Sequence, residues 1–70
     1  MERVAVRSTE IAIVGYEASS KTLEVAFRNG SVYHYEQVPP EMFQQFIKAD
    51  SIGLHFADKI KTAFPYTKIH

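Results

Sequence analysis

The sequence predicts an α+β domain: a three-stranded antiparallel β-meander followed by two α-helices packed on one sheet face. Three observations predict it. Thr22-Leu-Glu-Val-Ala-Phe-Arg28 alternates with period two, putting Leu23, Val25 and Phe27 on one side and Thr22, Glu24 and Ala26 on the other. Asn29-Gly30 follows at once as a hairpin turn signal. Pro39-Pro40-Glu41 then opens a stretch in which Met42, Phe43, Phe46 and Ile47 recur at helical spacing.

The chain has 70 residues, which makes one domain, 1–70, with a core over about 10–64 and flexible or edge segments at 1–9 and 65–70. An apolar fraction of 46% is that of a folded chain. There is no cysteine, which excludes a disulfide framework, a thiolate metal site and a thiol nucleophile, and fits a reducing compartment. No apolar run approaches the roughly 18 residues of a membrane span, and Met1-Glu-Arg-Val4 does not open a signal peptide. The expectation is a cytoplasmic protein with no membrane partner.

Val4 to Val6 reads as a short edge strand or a loose arm. Ile11-Ala-Ile-Val-Gly-Tyr16 is apolar throughout and β-branched, a strand covered on both faces, in which Gly15 signals a bulge or a close backbone approach. Glu17 to Lys21 is a polar turn. A four-residue loop there puts Val14 and Tyr16 on the core face, and a five-residue loop puts Ile11 and Ile13 there. The four-residue loop is preferred because it opposes Glu17 with Thr22, both content in water.

The turn at Asn29-Gly30 is settled by register, because directly opposed residues share a face. A two-residue loop would set Leu23 against Glu36 and bury a carboxylate. A three-residue loop of Arg28, Asn29 and a left-handed Gly30 sets Val25 against Tyr33, Leu23 against Tyr35 and, on the outer face, Glu24 against His34. Burying an unpaired charge costs several kcal/mol, more than separates two good turns, so the three-residue loop is predicted.

Val38-Pro-Pro-Glu41 ends the third strand. Pro40 suits a first helical turn and Glu41 suits its positive dipole end. Ser51 reads as the N-cap of a second helix running to about Phe64, where Pro65 stops it. Ile52, Phe56, Ile60 and Phe64 form its apolar rail. Gly53 weakens a helix by about 1 kcal/mol relative to alanine, which points to close packing of backbone on the sheet or first helix.

Little in the chain suggests catalysis. Ser8, Ser19, Ser20, Ser31 and Ser51 each suit a turn, strand edge or cap, and His34 and His55 complete no triad pattern, so no catalytic residue and no enzyme activity is assigned. His34, His55 and His70 lack ligand spacing, and His70 ends a tail read as mobile, so no metal and no cofactor is expected. Glu24 opposite His34 is the one acid–histidine pair the register makes, and on an exposed face such a pair is a modest cross-strand contact.

The order and spacing of several short pieces carry a resemblance. Ile11, Val14, Gly15 and Tyr16, then Thr22-Leu23 with Phe27, Gly30 with Tyr33 and Tyr35, Val38-Pro39, and Ala49 with Ser51, Gly53, Phe56 and Ile60 resemble the KTSC domain, from about Ile11 to Phe64. That family is found at the C-terminus of some lysyl-tRNA synthetases and as free-standing small bacterial proteins. Ala57 departs from the pattern, standing where members often carry an asparagine. The resemblance implies a fold and a genomic company, not an activity, and it favours an RNA-facing role by analogy.

Eight basic and eight acidic side chains cancel, so the chain exerts no long-range field on nucleic acid. Their distribution is uneven, since Lys59, Lys61 and Lys68 follow Asp58 with no further acid. As a rule such a cluster is a solvated helix face. The functional expectation is a small non-catalytic binding module, a weak RNA- or tRNA-binding accessory domain that uses Arg28, Lys48, Lys59, Lys61 and Lys68 with Tyr66 as a stacking surface. The alternative is a docking domain for a larger protein, through an outer-face patch of Ile11, Ile13, Ala26 and Val32 or through the free edge of the first or third meander strand.

Overall fold

A computed structural model describes all residues from Met1 to His70. The chain forms one antiparallel sheet of five strands in chain order: β1 Glu2–Ala5, β2 Ile11–Glu17, β3 Thr22–Phe27, β4 Val32–Tyr35 and β5 Tyr66–Lys68. Between β4 and β5 come α1, Pro40–Ile47, and α2, Ile52–His55, which runs without a break into a π-helical turn over Phe56–Ile60. The expected meander is β2–β3–β4, so the three-stranded description is corrected to five by a strand added at each edge. At the N-terminus the sequence allowed a short edge strand at Val4 to Val6, and at 65–70 a flexible or edge segment, but neither was counted in the sheet, for one reason. Every residue of β1 and β5 is exposed, so neither shows the alternation that marks a half-buried strand.

The β3–β4 register is the expected one, with Val25 opposite Tyr33, Leu23 opposite Tyr35 and Glu24 opposite His34. Gly30 takes φ +97° and its N–H donates to the Phe27 carbonyl at 3.0 Å, closing the three-residue bulged loop. In the first hairpin Glu17 opposes Thr22, and Val14 and Tyr16 lie on the core face. Ile11 is buried there as well, because a β-bulge between Ile11 and Ile13 changes the parity of the strand. Gly15 therefore does not mark the bulge; it marks the close approach. A Cβ there would come within 3.0 Å of Arg3 Cγ and 3.2 Å of the Glu2 carbonyl, so β1 lies against bare backbone.

The helices cover one sheet face. Val14, Tyr16, Leu23, Val25 and Tyr35 meet Phe43 and Phe46 of α1 and Ile52, Phe56 and Ile60 of the second helical segment. Val38 closes the far end: its N–H reaches the Lys21 carbonyl at 2.9 Å and its own carbonyl accepts the buried Tyr16 hydroxyl. Burying a side chain of this size contributes about 1.5–3 kcal/mol. Ser51 caps α2, its Oγ accepting the Leu54 N–H at 3.3 Å.

Two further expectations are corrected. The second helix does not continue to Phe64, because the Lys61 N–H bonds the Phe56 carbonyl at 2.8 Å, five residues back, and the chain then turns. Gly53 is not in tight backbone packing, since a Cβ there would meet only Ser8 Oγ, at an ordinary 3.7 Å.

The segment after Pro65 is not a mobile tail. The Pro65 carbonyl accepts the Glu36 N–H at 2.9 Å, and Val32 exchanges backbone hydrogen bonds with His70 at 3.0 and 3.2 Å. Pro65 thus turns the chain back onto the β4 edge as well as ending the helix.

Candidate functional site

The period-two alternation of β3 and β4 places Phe27, Tyr33 and Tyr35 on the helix side of the sheet, and β5 adds Tyr66 opposite Tyr35 and Lys68 opposite Tyr33. The rings form one continuous wall. Phe27 meets Tyr33 edge-on at 5.8 Å, Tyr33 stacks with Tyr35 at 6.4 Å, and Tyr66 leans on both at 5.8 and 5.6 Å between centroids. Phe56, from the π turn, sets its edge against Phe27 and Tyr35, each at 5.5 Å.

The helices do not cover this wall completely. A cleft of about 570 Å³ opens over it, a size suited to a small planar ligand. The second helical segment lines it with Gly53, Ala57 and Lys61, four residues apart, and Phe64 follows. Glu10, Asn29 and Ser31 line it with polar groups. Tyr66 remains 60% exposed although it belongs to the wall, whereas Tyr35 is buried. Burial, then the nearby Tyr33 and Tyr66 hydroxyls, push the Tyr35 phenol above its ordinary pKa.

Of the residues expected to bind nucleic acid, the fold brings Lys61 and Tyr66 into this cleft and sets Lys68 on the same sheet face. Lys59 and Lys48 are exposed and do not line it. Arg28 gives its Nε–H to the Ser8 carbonyl at 2.7 Å, so it fastens the loop before β2 to the β3–β4 hairpin. Phe27, Tyr33 and Tyr35 lie on the helix-covered face, as the expected register has it: Tyr35 is core and Phe27 and Tyr33 pack partly buried against it, while all three also line the cleft.

The outer sheet face is built differently. Arg3, Gly15, Glu24, His34 and Thr67 stand in one row across the five strands. Gly15 has no side chain to interpose, so Arg3 reaches across β2 to Glu24, its Nε 2.6 Å from Oε2. His34 Nε2 lies 2.9 Å from Oε1 of the same carboxylate. The hydrogen bond from Arg3, followed by that from His34, holds the Glu24 carboxyl below the usual carboxylate range against the opposing effect of its burial. The adjoining row is apolar: Ala5, Ile13, Ala26 and Val32 are mutually opposed. The outer patch expected from the sequence thus lacks Ile11, which the bulge takes into the core, and gains Ala5. The strand edges expected to be free are occupied, since β1 pairs with β2 and β5 with β4.

Four of the five serine hydroxyls, all but that of Ser31, are engaged locally, Ser51 as the helix cap. Ser8 Oγ accepts the Glu10 and Ile11 N–H groups, Ser19 donates to Glu17, and Ser20 pairs with Thr22. No three His, Asp or Glu side chains converge to hold a metal ion. His55 stacks on Phe46 at 5.7 Å with its Nε2 buried and unpaired. No helix is long and apolar enough to cross a membrane.

The KTSC domain family model matches residues 7–64. An uncharacterised protein of Stutzerimonas stutzeri is 44% identical over 61 residues, covering 87% of this chain and 86% of its own length. A lysine–tRNA ligase of Nostoc punctiforme is 39% identical over 54 residues, 77% of this chain but 10% of the ligase. The crystal structure of a KTSC domain protein from Yersinia pestis superposes with a TM-score of 0.93 at 37% identity, covering 99% of this chain and 97% of that one. The superposed length reaches beyond the 7–64 span of the family model, into the residues of the added edge strands.

Proposed function

This chain belongs to the KTSC domain family, and we propose that it is a non-catalytic accessory module that binds single-stranded RNA through the aromatic cleft, in the cytoplasm. One observation carries the reading: a continuous wall of Phe27, Tyr33, Tyr35 and Tyr66 is left partly uncovered, with Lys61 in the cleft and Lys68 on the same sheet face. Aromatic rings stack on the face of any base, contributing about 1–3 kcal/mol each, and lysines beside them neutralise the phosphates that follow. Arg28, Lys48 and Lys59 would contribute at most at longer range.

The matching segment in lysine–tRNA ligases supports the same reading, because a module tethered to a tRNA-charging enzyme meets RNA constantly. Zero net charge makes its own affinity weak, and tethering supplies the effective concentration. The test is a 1H–15N shift titration of the full chain with short single-stranded RNA, duplex RNA and tRNA at low salt. Single-stranded RNA is expected to shift Tyr33, Tyr66, Ala57 and Lys61, with binding that weakens as salt rises by about 0.7 in log–log slope per phosphate contact. Shifts confined to other surfaces, or none, would remove the reading.

A second reading, a docking module for a protein partner, draws on the apolar outer row, in which Ile13 is 39% exposed. A concentration-dependent shift of Ala5, Ile13, Ala26 and Val32, or a dimer by sedimentation, would favour it. A strictly monomeric chain without such shifts would count against it.

A further inference from the structure

The polar groups at the cleft bear on which base it takes, an inference that rests on the RNA reading above. Glu10 is the one acidic residue that lines the cleft, and its carboxylate makes no hydrogen bond or ion pair within the chain. It differs in this from Glu24, whose two oxygens are both engaged. The position of Glu10 is set by its backbone, because its carbonyl accepts the Arg28 N–H at 2.8 Å beside the root of Phe27. Asn29, across the hairpin loop, also lines the cleft. Its Oδ1 is taken by the Ser31 N–H at 2.9 Å, which leaves the amide N–H groups to spare.

The residues lining this cleft thus carry two free acceptor oxygens on Glu10 and a free amide donor on Asn29. Only one base edge complements that set. Guanine presents two adjacent N–H donors, N1 and N2, which a carboxylate accepts side by side, and a neighbouring O6 carbonyl suited to an amide donor. Adenine and cytosine each place one amino group next to a bare ring nitrogen, and uracil flanks its single N–H with two carbonyls that repel a carboxylate. We infer that the cleft selects a guanine base of single-stranded RNA, with the Glu10 carboxylate and the Asn29 amide reading its Watson–Crick edge while the exposed ring of Tyr66 supplies the stacking face.

The experiment uses the full chain and four RNA pentamers, UUGUU, UUAUU, UUCUU and UUUUU, followed by fluorescence anisotropy and by 1H–15N shifts. The expected result is that UUGUU binds about tenfold or more tightly than the other three, the discrimination usual for a bidentate base contact. Glu10→Ala, its fold checked by the dispersion of the same spectra, is expected to bring UUGUU down to their level. Four equal affinities with no effect of Glu10→Ala, or a preference for another base, would overturn the guanine assignment and leave the cleft an RNA site. Absence of binding by all four would overturn the assignment and the RNA reading together.

Discussion

The two faces of the sheet use the same strands to opposite ends. On the outer face the charged groups close on one another: Arg3 and His34 both serve Glu24, and Gly15 is the gap that lets them meet. Around the cleft they do not close, since Glu10, Lys61 and Lys68 form no ion pair and Tyr66 stands half in water against buried rings. A carboxylate whose acceptors are filled has little left with which to recognise a ligand, whereas unpaired polar groups beside an aromatic wall retain that capacity. The difference teaches that the more conspicuous charge cluster is the structural one.

Substitutions can break or sharpen this contrast. The largest effect is expected where both faces share a foundation. Phe46→Ala removes a fully buried ring that touches His55 and Phe56 beneath the cleft, and should destabilise the fold by about 3–5 kcal/mol in urea denaturation. Tyr66→Ala separates the faces cleanly. Its ring is mostly exposed, so the denaturation midpoint should barely move, while affinity for single-stranded RNA should fall by about 1–3 kcal/mol, one stacked base. A large stability loss with unchanged RNA affinity would reverse the roles assigned to the two faces.

Glu24→Gln is expected to do the opposite, costing about 1–2 kcal/mol of stability by weakening a charge-assisted pair and leaving RNA affinity where it was. The same carboxylate sets a pH dependence of known sign. Its folded pKa lies below the unfolded value of about 4.3, so its stabilisation is complete above that pH and is lost as the pH falls through the folded value. Thermal melts below pH 4.3 should show a steeper acid loss in the natural chain than in Glu24→Gln. The smallest effect is expected from Gly15→Ala, about 1 kcal/mol, because the added methyl must displace Arg3 and the Glu2 carbonyl. Its signature should be a raised Glu24 carboxyl pKa by NMR titration as Arg3 is pushed off.

The parts legible in the sequence are those that local chemistry dictates. The alternation of Leu23, Val25 and Phe27, the glycine at position 30 and the cost of burying Glu36 sufficed to set the β3–β4 register residue by residue. Ser51 and Pro40 announced the helix starts because unpaired N–H groups at a helix end impose the same demand in any fold. The lining of the candidate cleft was legible only in part: Lys61 and Tyr66 were marked by charge and by the proline before Tyr66, while Glu10 and Asn29 resemble ordinary loop residues.

Sequence by itself thus determined the meander, the register of its second hairpin and the apolar stripe of the first helix, because spacing along the chain fixes which neighbours share a face. Tertiary structure alone decided that both ends of the chain pair into the sheet rather than lie loose, that a π turn stops the second helix early, and that Arg3 reaches Glu24 over a bare glycine. Each of those depends on groups far apart in the chain arriving at one place. The cleft belongs to this second class. Its aromatic wall requires β5 to return beside β4, and its opening requires helices too short to cover what the strands present.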